Sequence, residues 1–169
     1  GFTDGGVSVV STSGNEVLTP DVTVLACGGA SWARLGADGA WTEYLGDQVV
    51  PFKPANMGFE RNWSDHMAKH LGTPVKPVVL KCGNRQVKGE FIISGRGIEG
   101  SAVYAVSREM REGADLFLDL MPDLSVEKLQ MRLDRPRGKN SMTNHLRKAG
   151  LSPVKIGLLR EVGSDFTAQ

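Results

Sequence analysis

Residues 7–11 (Val-Ser-Val-Val-Ser) read as a strand, and Ser13-Gly14-Asn15 as the turn that follows it. A short strand lies near Val17-Leu18. From Asp21 to Ala26 the chain is an almost unbroken apolar run, the pattern of a strand buried on both faces, and it ends at Gly28-Gly29. Residues 31–47, with Gly36, Gly39 and Gly46, read as a loop carrying a short helix around Ala40 to Leu45. Pro51 and Pro54 flank an extended piece and mark a crossing from one domain into another.

Beyond Asn56 the texture changes. Met57-Gly58-Phe59 reads as extended. Ser64 is placed to cap a helix from Asp65 to about Leu71, closed by Gly72. Residues 75–82 and 86–94 are predicted strands joined by a hairpin turn at Gly83-Asn84. After Gly95-Arg96-Gly97-Ile98-Glu99-Gly100 the spacing predicts one helix through Arg111, ended by Gly113, then a strand over 116–120. The last third is helical. Ser125 caps a helix to about Leu133, and Ser141 caps a second that Gly150 ends. Ser152-Pro153 opens a third, ended by Gly163. An apolar stripe of Leu129, Leu133, Leu146, Leu151, Ile156 and Leu159 gives these helices a face to pack on the strands.

The 169 residues are 40 % apolar, enough for a packed core in one domain or two small ones. Cys27 and Cys82 both sit in apolar runs and read as small buried hydrophobes, too few for a disulfide framework or a zinc site, which suits a cytoplasmic protein. No stretch approaches the roughly 20 apolar residues of a membrane helix. The opening Gly-Phe-Thr-Asp-Gly-Gly has no signal-peptide character. The chain begins without Met, as though already inside a sheet, and is read as an internal segment of a longer protein.

A formal net charge of +1 names no partner. The charge is uneven, however. Lys128, Arg132, Arg135, Arg137, Lys139, Arg147, Lys148, Lys155 and Arg160 face only Glu127 and Asp134 between residues 125 and 160, so that segment carries 9 − 2 = +7. Three short basic helices resemble a helix-turn-helix and could grip nucleic-acid phosphate, although no aromatic residues interleave to stack on bases. The competing reading is a solvated helical subdomain. His66 and His70, four apart, are placed on one helix face, and His145 lies in another helix; no Cys or Glu spacing turns them into a metal site.

A buried strand ending in Gly-Gly puts backbone without side chains at the carboxyl edge of a sheet, where ligands of open α/β sheets bind. Physics alone leaves a plain turn open as the alternative. The run Val24-Leu25-Ala26-Cys27-Gly28-Gly29-Ala30-Ser31-Trp32, followed by Leu35-Gly36-Ala37-Asp38-Gly39, resembles the Ala-Thr-Gly-Gly segment of two-dinucleotide-binding-domain flavoproteins. More narrowly, it is similar to bacterial NAD(P)/FAD-dependent oxidoreductases that include aminoacetone oxidase-like proteins. Pro54-Ala55-Asn56-Met57-Gly58-Phe59, Gly89-Glu90-Phe91, Gly97-Ile98-Glu99-Gly100-Ser101 and Leu118-Asp119-Leu120-Met121-Pro122-Asp123 follow in the family's order. Cys27 stands where Thr is commoner, and Ala33 where many relatives have Pro.

The resemblance implies an α+β segment of an FAD-dependent oxidoreductase. Residues 1–50 would be a β-meander piece of a Rossmann-type FAD domain, 51–123 the β-rich part of an insert and 124–169 its helical part. Gly28, Gly29, Ala30 and Ser31 would lie beside FAD, and the insert would cap the flavin. The Gly-x-Gly-x-x-Gly unit that holds the pyrophosphate is absent, so the chain alone is expected neither to retain FAD nor to be active. Gly95–Gly100 has that spacing without a surrounding βαβ unit. It is read instead as a loop opening a helix toward the flavin edge, with Arg96, Gly97, Glu99 and Gly100 on the substrate side. The partners implied are the remaining segments of the FAD domain and a small-molecule substrate, with no membrane and no nucleic acid. Two readings stand beside this one: a nucleic-acid module built on residues 125–160, and a purely structural or oligomerisation insert. No catalytic residue and no metal ligand is assigned.

Overall fold

The computed structural model describes residues 1–162, so the expected helix stop at Gly163 lies outside the described residues. The fold is α+β, and the chain divides into two compact units, Gly1–Phe52 and Lys53 onward. The division falls between Pro51 and Pro54, where paired prolines stiffen the chain and remove two main-chain donors.

The first unit opens with an antiparallel meander of β1 (Phe2–Thr3), β2 (Gly6–Ser11) and β3 (Gly14–Leu18), with Val7 opposite Leu18 and Ser11 opposite Gly14. Every residue of β3 is exposed. The run from Asp21 to Ala26 corrects the prediction: it is extended but forms no strand, and Val22, Val24 and Leu25 are 77 %, 81 % and 49 % exposed. A strand is defined by its ladder partner, and among the described residues none runs beside this segment. Cys27 is exposed for the same reason. The remainder folds through 3-10 turns at Ala33–Leu35, Ala40–Tyr44 and Gly46–Gln48. Trp41 meets Phe52 edge to face, with ring centroids 5.9 Å apart.

The second unit is a five-stranded sheet of β4 (Phe59–Glu60), β5 (Pro74–Cys82), β6 (Arg85–Ser94), β7 (Gly97–Glu99) and β8 (Leu116–Asp119), in the order β4-β7-β6-β5-β8. Each recorded pairing is antiparallel. β5 and β6 form the predicted hairpin, turning at Gly83 with φ +54°. Register shifts between Val75 and Val78, around Pro77, which has no N–H to donate. That shift resets the two-residue alternation, so Val75 and then Val78, Leu80 and Cys82 all face the core. Phe91 and Ile93 of β6, Met67, and Ala102, Val103 and Val106 complete this core.

The single helix predicted through Arg111 is instead two, α1 (Ser101–Ala105) and α2 (Ser107–Arg111), broken at Val106 with φ −112° and ψ 8°. Ser107 Oγ donates to the Val103 carbonyl four residues back, the serine back-bond that bends helices. The Gly95–Gly100 loop likewise contains a strand, β7.

The last three helices form as their sequence signals require. α3 (Val126–Leu133) is capped by Ser125 Oγ accepting from Lys128 N, and α4 (Met142–Ala149) by Ser141 Oγ accepting from Asn144 N. Gly150 ends α4 at φ +112°, and α5 (Pro153–Val162) begins on Pro153. The apolar stripe does not pack on the strands as predicted. Leu133, Leu146, Leu151, Ile156 and Leu159 join Ala149, Met121 and Met142 in a second core. α5 serves both cores, because Val154 and Leu158 reach the sheet while Ile156 and Leu159 turn to the helices. Among the described residues no helix is long and apolar enough to cross a membrane.

Candidate functional site

In the first unit Gly28, Gly29, Ala30 and Ser31 are all exposed and lie outside any regular element. Gly28 adopts φ +77°, which favours glycine, and its carbonyl accepts from Trp41 Nε1 at 3.1 Å. That bond ties the segment to the 3-10 turn Ala40–Tyr44. Ala30 packs on Gly39, where an added Cβ would come within 2.8 Å of the Ala30 Cβ. Beside this stretch opens a mostly apolar cavity of about 700 Å³, lined by Phe2, Val7, Leu25, Cys27, Trp41 and Tyr44 among others. Trp41, Tyr44 and Phe2 were missed by sequence reasoning; Trp41 and Tyr44, three apart, carried a signal as two aromatics in a glycine-bounded loop.

A flavin needs bare backbone for close approach of a flat ring, and donors for its polar edge. The segment fits as one wall. A Cβ on Gly29 would meet nothing within 4 Å, and the N–H groups of Gly29, Ala30 and Ser31 have no hydrogen-bond partner among the described residues.

In the second unit the structure brings Arg96 and Glu99 together with Gly58, Glu60, Ser94 and Gly95 around an open groove of about 360 Å³ at the β4–β7 edge. Both side chains belong to exposed residues. Gly97 and Gly100 do not line it. Gly97 is buried against β4, and a Cβ there would fall 2.0 Å from the Phe59 carbonyl oxygen. A Cβ on Gly100 would sit 3.4 Å from the Phe91 Cα. Gly97 therefore has a packing role that sequence reasoning did not assign, while Gly100 is favoured by its φ of +118°.

Asp65–His70 is a 3-10 helix, and His66 and His70 both reach Gly157 of α5. With three residues per turn, Met67 and His70 are the two that it buries. The Ser64 cap is corrected too: its hydroxyl bonds the His66 Nδ1 side chain at 2.6 Å and donates to Glu161 Oε1 at 2.5 Å, and it accepts from no backbone N–H of the helix. His66 Nε2 lies 3.2 Å from the Gly157 carbonyl oxygen. His70 is 7 % exposed, and burial, then Lys69 and His66, hold its pKa below the usual histidine value. His145 Nε2 contacts the Leu133 carbonyl oxygen at 2.9 Å. Among the described residues no three His, Cys, Asp or Glu converge as a metal site.

Part of the basic third is committed internally. Lys155 is buried and donates to the carbonyls of Pro77 and Leu120 at 2.7 and 2.6 Å. Burial lowers its pKa, opposed by Asp119 and Asp123. Arg132 donates to the Ala149 carbonyl, Lys148 to Asn140 Oδ1 and Arg160 to Thr143 Oγ1. Arg135, Lys139 and Arg147 remain exposed.

Compared with known proteins, residues 53–161 match a family model described as "HI0933-like protein barrel and H2TH domain". No curated protein matches the chain.

Proposed function

Since this chain belongs to the HI0933-like barrel and H2TH family, which is related to flavoprotein oxidoreductases, we propose that residues 53–161 are the insert of an FAD-dependent oxidoreductase. The observation that carries this reading is a shared boundary. The family match begins at residue 53, and the second compact unit begins at Lys53. A compact unit that begins at a proline-bearing crossing has the form of a separate domain.

In this reading residues 1–52 belong to the host FAD domain. Its other strands and helices cover both faces of the run carrying Val22, Val24 and Leu25, exposed in this chain. Gly28 to Ser31 offer backbone donors to the cofactor and let it approach closely. Bound FAD supplies the hydride or electron transfer. The insert covers the flavin and excludes water. Arg96 and Glu99 orient a small polar substrate in the groove between them, Arg96 through an anionic group and Glu99 through a donor.

The test is purification of the complete protein. It is expected to be yellow, with stoichiometric flavin absorbance, while the present chain alone is colourless. A complete protein free of flavin overturns the proposal. Tight FAD binding by this chain alone overturns the assignment of the remaining walls to other segments.

A further inference from the structure

We propose that the cleft between the 3-10 helix Asp65–His70 and helices α4 and α5 binds one phosphate group, carried as a monoester on a small molecule. The cleft is lined by His66, Lys69, His70, Thr143, Arg147 and Arg160, with Ile156 and Gly157 at its floor. Three fixed cations therefore come from three elements: Lys69 from the 3-10 helix, Arg147 from α4 and Arg160 from α5. Lys69 lies 78 and 91 residues from Arg147 and Arg160 in sequence, so the fold brings it to the two arginines.

The acidic groups nearby are already engaged or outside. Glu161 is turned to Ser64 and His66, with Oε1 2.5 Å from Ser64 Oγ and 3.3 Å from His66 Nε2. Asp65, in the first turn of the 3-10 helix, does not line the cleft. Arg160 donates to Thr143 Oγ1 at 2.6 Å, which holds its guanidinium in place and leaves its other donors to a ligand.

His70 supplies an independent observation. It is more than nine-tenths buried and lines the cleft, yet neither ring nitrogen has a hydrogen-bond partner among the described residues. Neither nitrogen is among the fully buried unpartnered polar atoms, so the ring stays open on its cleft side, where an oxyanion would supply a partner. Gly157 makes room for this ring: a Cβ there would lie 3.2 Å from His70 Nε2. Burial, then Lys69 and His66, hold the His70 pKa below its usual value, and a dianion in the cleft would act against that shift.

Size and charge narrow the ligand. The cleft holds about 40 Å³, against roughly 10–15 Å³ for a single water on the same measure. That admits one tetrahedral oxyanion. Three cations match a monoester dianion better than the single charge of a diester. The inference is independent of the flavin reading, because it uses neither Gly28–Ser31 nor the Arg96 groove.

The experiment is calorimetric titration of the full chain with inorganic phosphate, with His70 followed by NMR. Saturable one-to-one binding is expected, with a rise in the His70 pKa on saturation. The double variant Lys69→Gln, Arg147→Gln, at two exposed positions, is expected to weaken binding about tenfold or more. Arg135→Gln, exposed but outside the cleft, is expected to leave it unchanged. Absence of saturation, or an unmoved His70 in the wild-type chain, overturns the proposal. Equal weakening by Arg135→Gln would mean diffuse attraction and also overturns it. So does a single-stranded oligonucleotide that outbinds phosphate and is lost in the same double variant, which would assign the cleft to nucleic acid.

Discussion

Lys155 donates its ammonium to the Leu120 carbonyl at 2.6 Å while only 4 % exposed. With its second bond, to the Pro77 carbonyl, it ties α5 to β5 and to the chain leaving β8. Lys155→Met keeps the length but leaves two carbonyls without their donor. A loss of about 2 kcal/mol is expected, from the net worth of charged hydrogen bonds less the relief of desolvating the ammonium. Urea denaturation at neutral pH measures it. Unchanged stability would show that the bonds contribute nothing net.

The same lysine makes a prediction about pH. Its folded pKa is lowered, so between that value and the unfolded value near 10.5 the unfolded chain binds more protons. Its contribution to stability therefore rises with pH across that window. The gap in stability between wild type and Lys155→Met is expected to widen toward pH 10.5.

His70 has the same sign on the acid side. Its folded pKa lies below 6.5, so the unfolded chain gains the proton first as pH falls. Its stability contribution is whole above 6.5 and is lost as pH drops from 6.5 through the folded value. Thermal melts from pH 7.5 to 5 are expected to fall more steeply for wild type than for His70→Asn, in phosphate-free buffer.

Gly97→Ala places a methyl 2.0 Å from the Phe59 oxygen at a backbone φ of +149°. A loss of about 2–4 kcal/mol is expected, with β4 released from β7. Gly95→Ala meets nothing within 4 Å and is expected to stay within about 0.5 kcal/mol of wild type. Equal melting temperatures for the two variants would contradict the packing role of Gly97.

Gly29→Ala is expected to leave the stability of this chain unchanged, since the added Cβ points into open space. In the complete protein the same methyl would stand between backbone and flavin. Flavin affinity should then drop about tenfold, or about 1.4 kcal/mol. Full flavin retention would remove Gly29 from the cofactor wall.

Most features set by neighbours in sequence were legible, the break at Val106 and the unused Ser64 cap being exceptions. Ser125, Ser141, Gly150 and Pro153 bound their helices where the capping rules put them, and the β5–β6 hairpin turns at Gly83. Features set by distant neighbours were not. The apolar run Asp21–Ala26 looks like any buried strand, because composition does not say whether a partner strand is beside it. Lys155 looks like one more surface cation in a basic helix, because burial of its ammonium depends on carbonyls 35 and 78 residues away. The helical stripe was visible, but Val154 and Leu158, which reach the sheet, differ from Ile156 and Leu159 only in their angle around α5. Of the proposed sites, the aromatics beside Gly28, and Arg147 and Arg160 beside His70, become neighbours only through the fold.

α5 carries side chains of both hydrophobic cores on one ten-residue rod. Neither core can loosen without withdrawing contacts from the other, so strands and helices should melt as a single transition. For anyone transplanting this module into another host, the unit of exchange is therefore everything from Lys53 through α5. A graft that stops before the last helix would leave both interiors open to water.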